Sequence, residues 1–408
     1  MKGHTRDAEL LSPAGDWASL SAAIDAGADA VYFGVKGMNM RDAAGNFQIN
    51  ELDRVMSVLK KSGKKGYLAL NTVMMNADLE RARRIVQKAR AAGVDALILW
   101  DTAVLQMARE AGLPVHISTQ ASVANLDAVK FYAALGAERI VLARECTLQD
   151  IRQIIRGLKE DGLACRIETF IHGAMCVSVS GRCFLSQETF GESANKGKCL
   201  QPCRREYEIR DLDGECAYRV GQDYILSPKD LCAIDFIDQM IASGITAFKI
   251  EGRMRSPEYV RIVTSCYRRV IDACLAGKLT EDLKHSCKEE LAAVYNRGFS
   301  DGFFFGRPDA RAWSRGLEHT REKVFIGEVT RFFKKISVAE VRLRTGRICK
   351  GEELLFIGKT TPAEQTRIEE MQKDGCFIDR AQKGDVVGLK VPFLLRPRDK
   401  VFLWKERE

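Results

Sequence analysis

Four cysteines, Cys176, Cys183, Cys199 and Cys203, stand in the segment CVSVSGRCFLSQETFGESANKGKCLQPC with six, fifteen and three residues between them. Thiolates are soft ligands, and four that converge most often hold zinc or an iron–sulfur cluster. A zinc ribbon typically shows two tight Cys-x2-Cys knuckles, whereas these gaps are wide and unequal, which favours a cluster and leaves zinc as the runner-up. The segment is too polar to form a core of its own, so burial as plain hydrophobes is the weaker explanation. Cys146, Cys165, Cys216, Cys266, Cys274, Cys287, Cys349 and Cys376 are scattered along the chain and read as small core residues. Cys232, in LSPKDLCAIDFI, is expected to open an apolar helix and stands as a reserve ligand. Thirteen cysteines without a secretory signal argue against a disulfide framework, because reducing compartments keep thiols free.

A second group of residues could surround a ligand. Short apolar runs end in polar side chains: Asn39 and Arg41, Asn71, Asp101, then His116, Ser118 and Gln120, then Arg144 and Glu145. Glu168 and His172 follow on a seventh run, and Lys249, Glu251 and Arg253 on the last. Buried polar groups must be paired, so a ring of them outlines either a binding site or internal ion pairs. For Glu168 and Lys249 the two readings are level. Arg41, Arg144, Arg182 and Arg253 suit an anionic ligand, phosphate or carboxylate, gripped by bidentate contacts. Lys196, Lys198, Arg204 and Arg205 lie beside the cysteines, where they could steer a nucleic acid or neutralise thiolates.

The elements that must carry these residues repeat one theme. DAGADAVYFG, AAGVDALILWD, ALGAERIVLARE and ASGITAFKIEGR each end a helix at a glycine (Gly27, Gly93, Gly136, Gly244) and pass into a strand. The strands are continuous apolar runs, as in a parallel sheet covered on both faces. With ELLSPA (9–14), GYLALNTV (66–73), PVHISTQA (114–121) and CRIETFIHG (165–173), eight strands are expected up to Lys249. That number predicts a TIM-type (β/α)8 barrel, whose ligands bind at the carboxyl ends of the strands. A doubly wound open sheet is the runner-up, weakened by the lack of a glycine-rich dinucleotide fingerprint. Residues 174–232 break the rhythm and read as a Cys-rich insertion after the seventh strand. From about residue 323 to 408 short β segments replace the helices, and the alternation across Val341, Arg342, Leu343 and Arg344 fits a half-exposed strand. A small antiparallel β-barrel domain is expected there, following a catalytic domain over 1–322.

Composition bounds the rest. The chain has 408 residues, 46% of them hydrophobic and 29% charged, and no apolar run nears the roughly 18 residues of a membrane span. The N-terminal stretch lacks a hydrophobic signal core, so a cytoplasmic location and no membrane partner are expected. Net charge is +8, and residues 323–408 hold 19 Lys+Arg against 13 Asp+Glu, a net of +6. A basic terminal module on a near-neutral body suits a polyanion such as RNA, or simply a solvated surface.

ELLSPAGDWASLSAAIDAGADAVYFG, NMRDAAGNF, HISTQASVAN, HGAMCVSVSGRCFLS, KGKCLQPCR and FKIEGRMRSPEYV together resemble the peptidase U32 family over nearly the whole chain. The terminal β module resembles the accessory domain of that family's tRNA-modifying branch. The resemblance implies either a collagenase-like protease or an oxygen-independent hydroxylation factor. The substrates it implies for the latter are the tRNA wobble uridine (with prephenate as co-substrate), a cytidine of large-subunit ribosomal RNA, or a quinone ring. It also implies a [4Fe-4S] cluster on Cys176, Cys183, Cys199 and Cys203, and it leaves Cys232 outside the ligand set.

Three functions follow. An RNA hydroxylase, or a component of one completed by a partner protein, would use the cluster, the arginines and the basic module. Its expected product is 5-hydroxyuridine at the tRNA wobble position, and Arg41, His116, Arg144, Glu168, His172, Lys249, Glu251 and Arg253 are its candidate catalytic residues. A protease would need a helical His-Glu-x-x-His pair, which is missing, or a Cys–His pair, for which Cys176 and His172 are near in sequence. A scaffold with a structural metal would lose its fold, rather than a separate chemistry, when a ligand is removed.

Overall fold

A computed structural model describes residues 8–179, 181–205, 207–210, 212–214, 217–220, 226–308, 312–314 and 316–407, so Cys216 lies outside the described residues. Seven strands come first: β1 (Glu9–Pro13), β2 (Ala30–Gly34), β3 (Lys65–Ala69), β4 (Ala96–Leu99), β5 (Val115–Ile117), β6 (Ala137–Val141) and β7 (Arg166–Ala174). Helices α1 (Trp17–Asp25), α2 (Leu52–Lys61), α3 (Leu79–Ala92), α4 (Thr102–Glu110), α5 (Leu126–Ala134) and α6 (Leu148–Glu160) lie between them. The insertion holds α7 (Leu185–Phe190), a hairpin of β8 (Tyr207–Arg210) and β9 (Ala217–Val220), and β10 (Asp230–Cys232). Then come α8 (Ile237–Ala242), β11 (Ala247–Ile250), α9 (Pro257–Leu275), α10 (Glu281–Ala293) and β12 (Phe299–Ser300).

Strands β1 to β7 pair in sequence order, all parallel, and β11 pairs with both β7 and β1. The sheet therefore closes on eight strands as a TIM-type barrel. Leu10, Val31, Phe33, Leu68 and Leu97 point outward under the helices and Leu11, Tyr32, Tyr67 and Ile98 point inward, so both faces are dry. Gly27, Gly93, Gly136 and Gly244 all take the left-handed backbone that ends the preceding helix.

Two expectations are corrected. The fifth strand stops at Ile117, and a short 3-10 turn at Thr119–Ala121 carries Gln120. Cys232 does not open a helix: it ends β10, which pairs antiparallel with the overhanging end of β7, Cys232 opposite His172. The overhang exists because β7 runs nine residues, beyond its barrel neighbours, and its exposed edge there accepts a new strand.

From Arg321 the chain builds an antiparallel sheet: β13 (Arg321–Phe333), β14 (Val338–Leu343), β16 (Glu353–Ile357), β17 (Glu364–Arg367), β18 (Met371–Lys373), β19 (Cys376–Phe377), β21 (Val386–Lys390) and β22 (Lys400–Glu406). The strand order is β17-β16-β22-β13-β14-β21-β18-β19, and β15 (Arg347–Cys349) pairs with β20 (Arg380–Gln382) beside it. The sheet curls around its own core of Ile326, Val341, Leu354, Phe356, Val387 and Val401. Val341 and Leu343 are buried and Arg342 and Arg344 exposed, as the alternation requires. Leu355 and Trp404 pack into the barrel-side core, and Lys323 pairs with Glu258 at 2.7 Å. No helix among the described residues is long and apolar enough to cross a membrane.

Candidate functional site

The carboxyl ends of the barrel strands and the Cys-rich insertion enclose one cavity of about 140 Å³, room for roughly ten waters or one small organic molecule. All four clustered cysteines line it, together with Arg41, Arg144, Arg204, Lys249, Glu251 and Arg253. Among the described residues the charged lining is thus five cations against one carboxylate.

The insertion is fastened over the strand ends by backbone bonds. Asp42 N donates to Gly197 O at 3.0 Å and Val73 N to Asn195 O at 3.3 Å. A Cβ at Gly197 would stand 2.1 Å from Asn39 O, so only glycine allows this approach. Cys183 N donates to Asn195 Oδ1 at 3.2 Å, and Leu200 N to Ser186 Oγ at 2.7 Å. Arg204 donates to Met175 O, Ser227 Oγ and Pro228 O at 2.6–2.8 Å, binding the start of the insertion to its end. Lys196 pairs with Asp78, and Lys198 with Glu192 at 3.1 Å. This basic group is therefore largely spent on holding the loop.

The four thiols are free, with no disulfide among them. Partial desolvation raises the Cys176 thiol, but the N–H groups of Gly181 and Ser178, the Ser178 hydroxyl and Arg144 outweigh it and hold it below its ordinary value. Burial pushes the Cys203 thiol up, and the other three thiols add to that against Arg204. Among the described residues no three His, Cys, Asp or Glu side chains converge closely enough to hold a metal ion. The donor chemistry still fits a soft metal centre, since four free sulfurs wall one cavity and feel one another electrostatically. Cys232 lies apart, buried beneath Tyr267, and burial raises its thiol to about 11.

The arginines divide into satisfied and unsatisfied groups. Arg41 is held by Glu251, with Nε and Nη2 each 3.0 Å from Oε1. Desolvation would raise the Glu251 carboxyl, but Arg41, Arg255 and Arg144 keep it below the usual range. Arg144 donates through Nη1 to Ala174 O and lies over the Phe170 ring at 4.0 Å, while its Nε has no partner among the described residues. Arg253 is 4% exposed and its Nη1 has no partner among the described residues. Burial drops the Arg253 guanidinium to about 10, and burial with the neighbouring Arg41 charge also lowers Arg144. Two desolvated cations short of acceptors make a receptor for an anion. Gly34 makes this possible, since a Cβ there would lie 2.5 Å from Arg253 Nη1.

Three of the candidate catalytic residues stand elsewhere. Glu168, wholly buried, accepts from Arg139 Nη1 at 3.0 Å and Lys249 Nζ at 2.8 Å, and Arg139 also bonds Glu9 at 2.7 Å. Glu9, Glu168, Arg139 and Lys249 form an ion-pair quartet inside the barrel, and Lys65 joins it from outside at 3.0 Å from Glu9. Only Lys249 reaches the cavity, and burial lowers its pKa despite Glu168. His116 packs edge-on against Tyr67, 4.6 Å between ring centroids, below the cavity. His172 points outward to α9, its Nδ1 3.3 Å from Tyr267 Oη, and burial pushes it down to about 3. Asp101 caps α4 through Ala103 N and Val104 N, and Glu145 is exposed. Asn71 bridges Met40 N, Ser118 and Gln120 in the cavity wall, and Arg182 donates to Gln120 O at 2.7 Å.

A profile for peptidase family U32 matches residues 15–314. A collagenase of Porphyromonas gingivalis is 38% identical over 99% of this chain and all of its own length. The tRNA hydroxylation protein P1 of Bacillus subtilis is 35% identical over 93% of this chain and 90% of its own. A 23S rRNA 5-hydroxycytidine synthase of Escherichia coli is 35% identical over 73% of this chain and 45% of its own.

Proposed function

The chain belongs to peptidase family U32, and on that premise we propose that it is an iron–sulfur-dependent, oxygen-independent RNA hydroxylase, acting at the tRNA wobble uridine to give 5-hydroxyuridine. The observation that carries this reading is the cavity wall itself: four free thiols beside the buried Arg253 and the half-buried Arg144, each with a guanidinium nitrogen that no acceptor among the described residues meets. The relatives named for tRNA and rRNA hydroxylation support RNA as the substrate class. The basic terminal segment suits RNA as well.

Cys176, Cys183, Cys199 and Cys203 would hold a [4Fe-4S] cluster, which when bound supplies one-electron transfer at the cavity mouth. Arg144 and Arg253, which both line the cavity, would grip a small dicarboxylate co-substrate such as prephenate. Glu251 anchors Arg41 at the rim, and Lys249 presents an ammonium from the floor whose charge burial makes easier to give up. Phe170, Tyr32 and Ile98 line the remaining wall and limit water.

A peptidase is the alternative favoured by the collagenase relative. It finds little support in the side chains: no histidine lines the cavity among the described residues, and His172 faces away from Cys176. Ribosomal RNA or a quinone ring would use the same site. Anaerobic purification with iron and sulfide analysis, and mass spectrometry of tRNA nucleosides from a deletion strain, test the reading. Zinc as the sole metal removes the redox part, and unchanged nucleosides remove the tRNA part.

A further inference from the structure

Far from the cavity, α9 and α10 bring two sulfurs together. Cys266 and Cys287 are both 0% exposed, and neither lines the cavity. Each sulfur reaches the other residue's backbone carbonyl, Cys266 Sγ to Cys287 O at 3.7 Å and Cys287 Sγ to Cys266 O at 3.9 Å. That reciprocity sets the two residues face to face across the helix interface. One guanidinium nitrogen touches both: Arg269 Nη2 lies 2.9 Å from Cys287 Sγ and 3.5 Å from Cys266 Sγ. Glu290 fixes Arg269 in place at 2.7 Å, and this half-exposed ion pair roofs the sulfurs. Two cysteines used only as core filler would not require a cation between them.

We propose that Cys266 and Cys287 form a reversible dithiol–disulfide couple, oxidised by hydroperoxide, that fastens α10 to α9. The Cys287 thiolate, stabilised by Arg269, attacks one peroxide oxygen; the O–O bond breaks, hydroxide leaves and takes a proton to become water, and Cys287 becomes a sulfenic acid. The Cys266 thiol then attacks that sulfur; an S–S bond forms, the S–O bond breaks and a second water departs. Two thiols and one peroxide give one disulfide and two waters. The hydrogen bond from Cys266, followed by Arg269, lowers the Cys287 thiol against the effect of burial, while Cys266 is raised. Arg269 Nη2 stands nearer Cys287 (2.9 Å) than Cys266 (3.5 Å), which makes Cys287 the sulfur oxidised first and Cys266 the resolving one. α9 also carries Tyr259 and Tyr267, whose hydroxyls donate to Glu251 O and Ile171 O, so the couple tightens the helix that braces the barrel mouth.

The test uses the full reduced chain, treated with a small excess of hydrogen peroxide, alkylated, digested and read by mass spectrometry. The expected product joins the Cys266 peptide to the Cys287 peptide and is undone by dithiothreitol. Cys266→Ser should leave a sulfenic acid on Cys287 that dimedone traps, and Arg269→Gln should slow oxidation about fivefold by removing the cation that stabilises the thiolate. The unsubstituted chain decides by itself should a variant fail to fold. Recovery of both cysteines as alkylated thiols after the cavity cysteines have been oxidised would overturn the proposal, as would cross-links to other partners in their place.

Discussion

Glu168→Gln removes the negative centre of the barrel quartet without changing its shape. Glu168 is fully buried and neutralises Lys249 at 2.8 Å while sharing Arg139 with Glu9. Before substitution Glu168 stands between Arg139 and Lys249; afterwards Arg139 keeps only Glu9, which Lys65 also contacts, and Lys249 has no acidic partner. Breaking a buried pair by removing one member typically costs about 3–5 kcal/mol, because the remaining charge is left desolvated. For a cooperative unit of about 300 residues, unfolding entropy near 2 cal/mol/K per residue converts that cost to a fall in Tm of about 5–8 °C. Calorimetry of the purified variant reads this directly. Lys249→Met together with Glu168→Gln restores balance between Glu9 and Arg139, so the double variant should melt well above the sum of the singles. A Tm unchanged within about 2 °C for Glu168→Gln, or strict additivity in the double, would refute the quartet as an internal ion network and return Glu168 to the catalytic candidates.

Three other outcomes are expected. Cys199→Ser should abolish iron and acid-labile sulfide in anaerobically purified protein, and with them the modified nucleoside; retention of both metal and product refutes the ligand assignment. Arg253→Met should weaken prephenate binding about 10–100-fold by calorimetric titration, the worth of a charge-assisted contact, and Gly34→Ala should act in the same direction by displacing Arg253; equal affinity in both variants rejects the anion site. Below pH 6.5 stability should fall by about 1.4 kcal/mol per pH unit for each buried imidazole. His172 takes its proton only near pH 3 when folded but near 6.5 when unfolded, so its contribution is intact above 6.5 and drains away as pH falls. His116 is lowered in the same sense; an unaltered slope of Tm against pH in His172→Gln contradicts this.

Local signals carried much of the fold. The glycine at the end of each helix and the apolar runs after them announced the repeating unit, because both depend on only a few neighbouring residues. The cavity cysteines were legible for the same reason: their density is a sequence property. Which polar residues face inward was not, since a continuous apolar strand hides its alternation. Glu9 and Arg139 thus went unnoticed, although their contact spans 130 positions. Asp101 stands before the apolar run TAVL, a helix-start signal that could have marked it as a cap. The strand position of Cys232 is not legible, because nothing in LSPKDLCAIDFI reveals that β7 leaves an edge free to pair. The Cys266–Cys287 contact depends on the packing of α9 against α10, which no spacing along the chain encodes.

The overhanging end of β7 has an evolutionary consequence. Because β10 returns to pair with the strand from which the excursion departs, residues 175–229 leave and re-enter at a single hydrogen-bonded gate. Between those ends the insertion meets the barrel loops at a few points, Gly197 against Asn39 and Asp42, Asn195 against Val73 and Lys196 against Asp78, and the rest of its content can change at little cost to the scaffold. Doubling such a loop costs only about 0.6 kcal/mol in closure entropy. A lineage could therefore rewrite the lid over the cavity, and with it the choice of substrate, without renegotiating the barrel beneath.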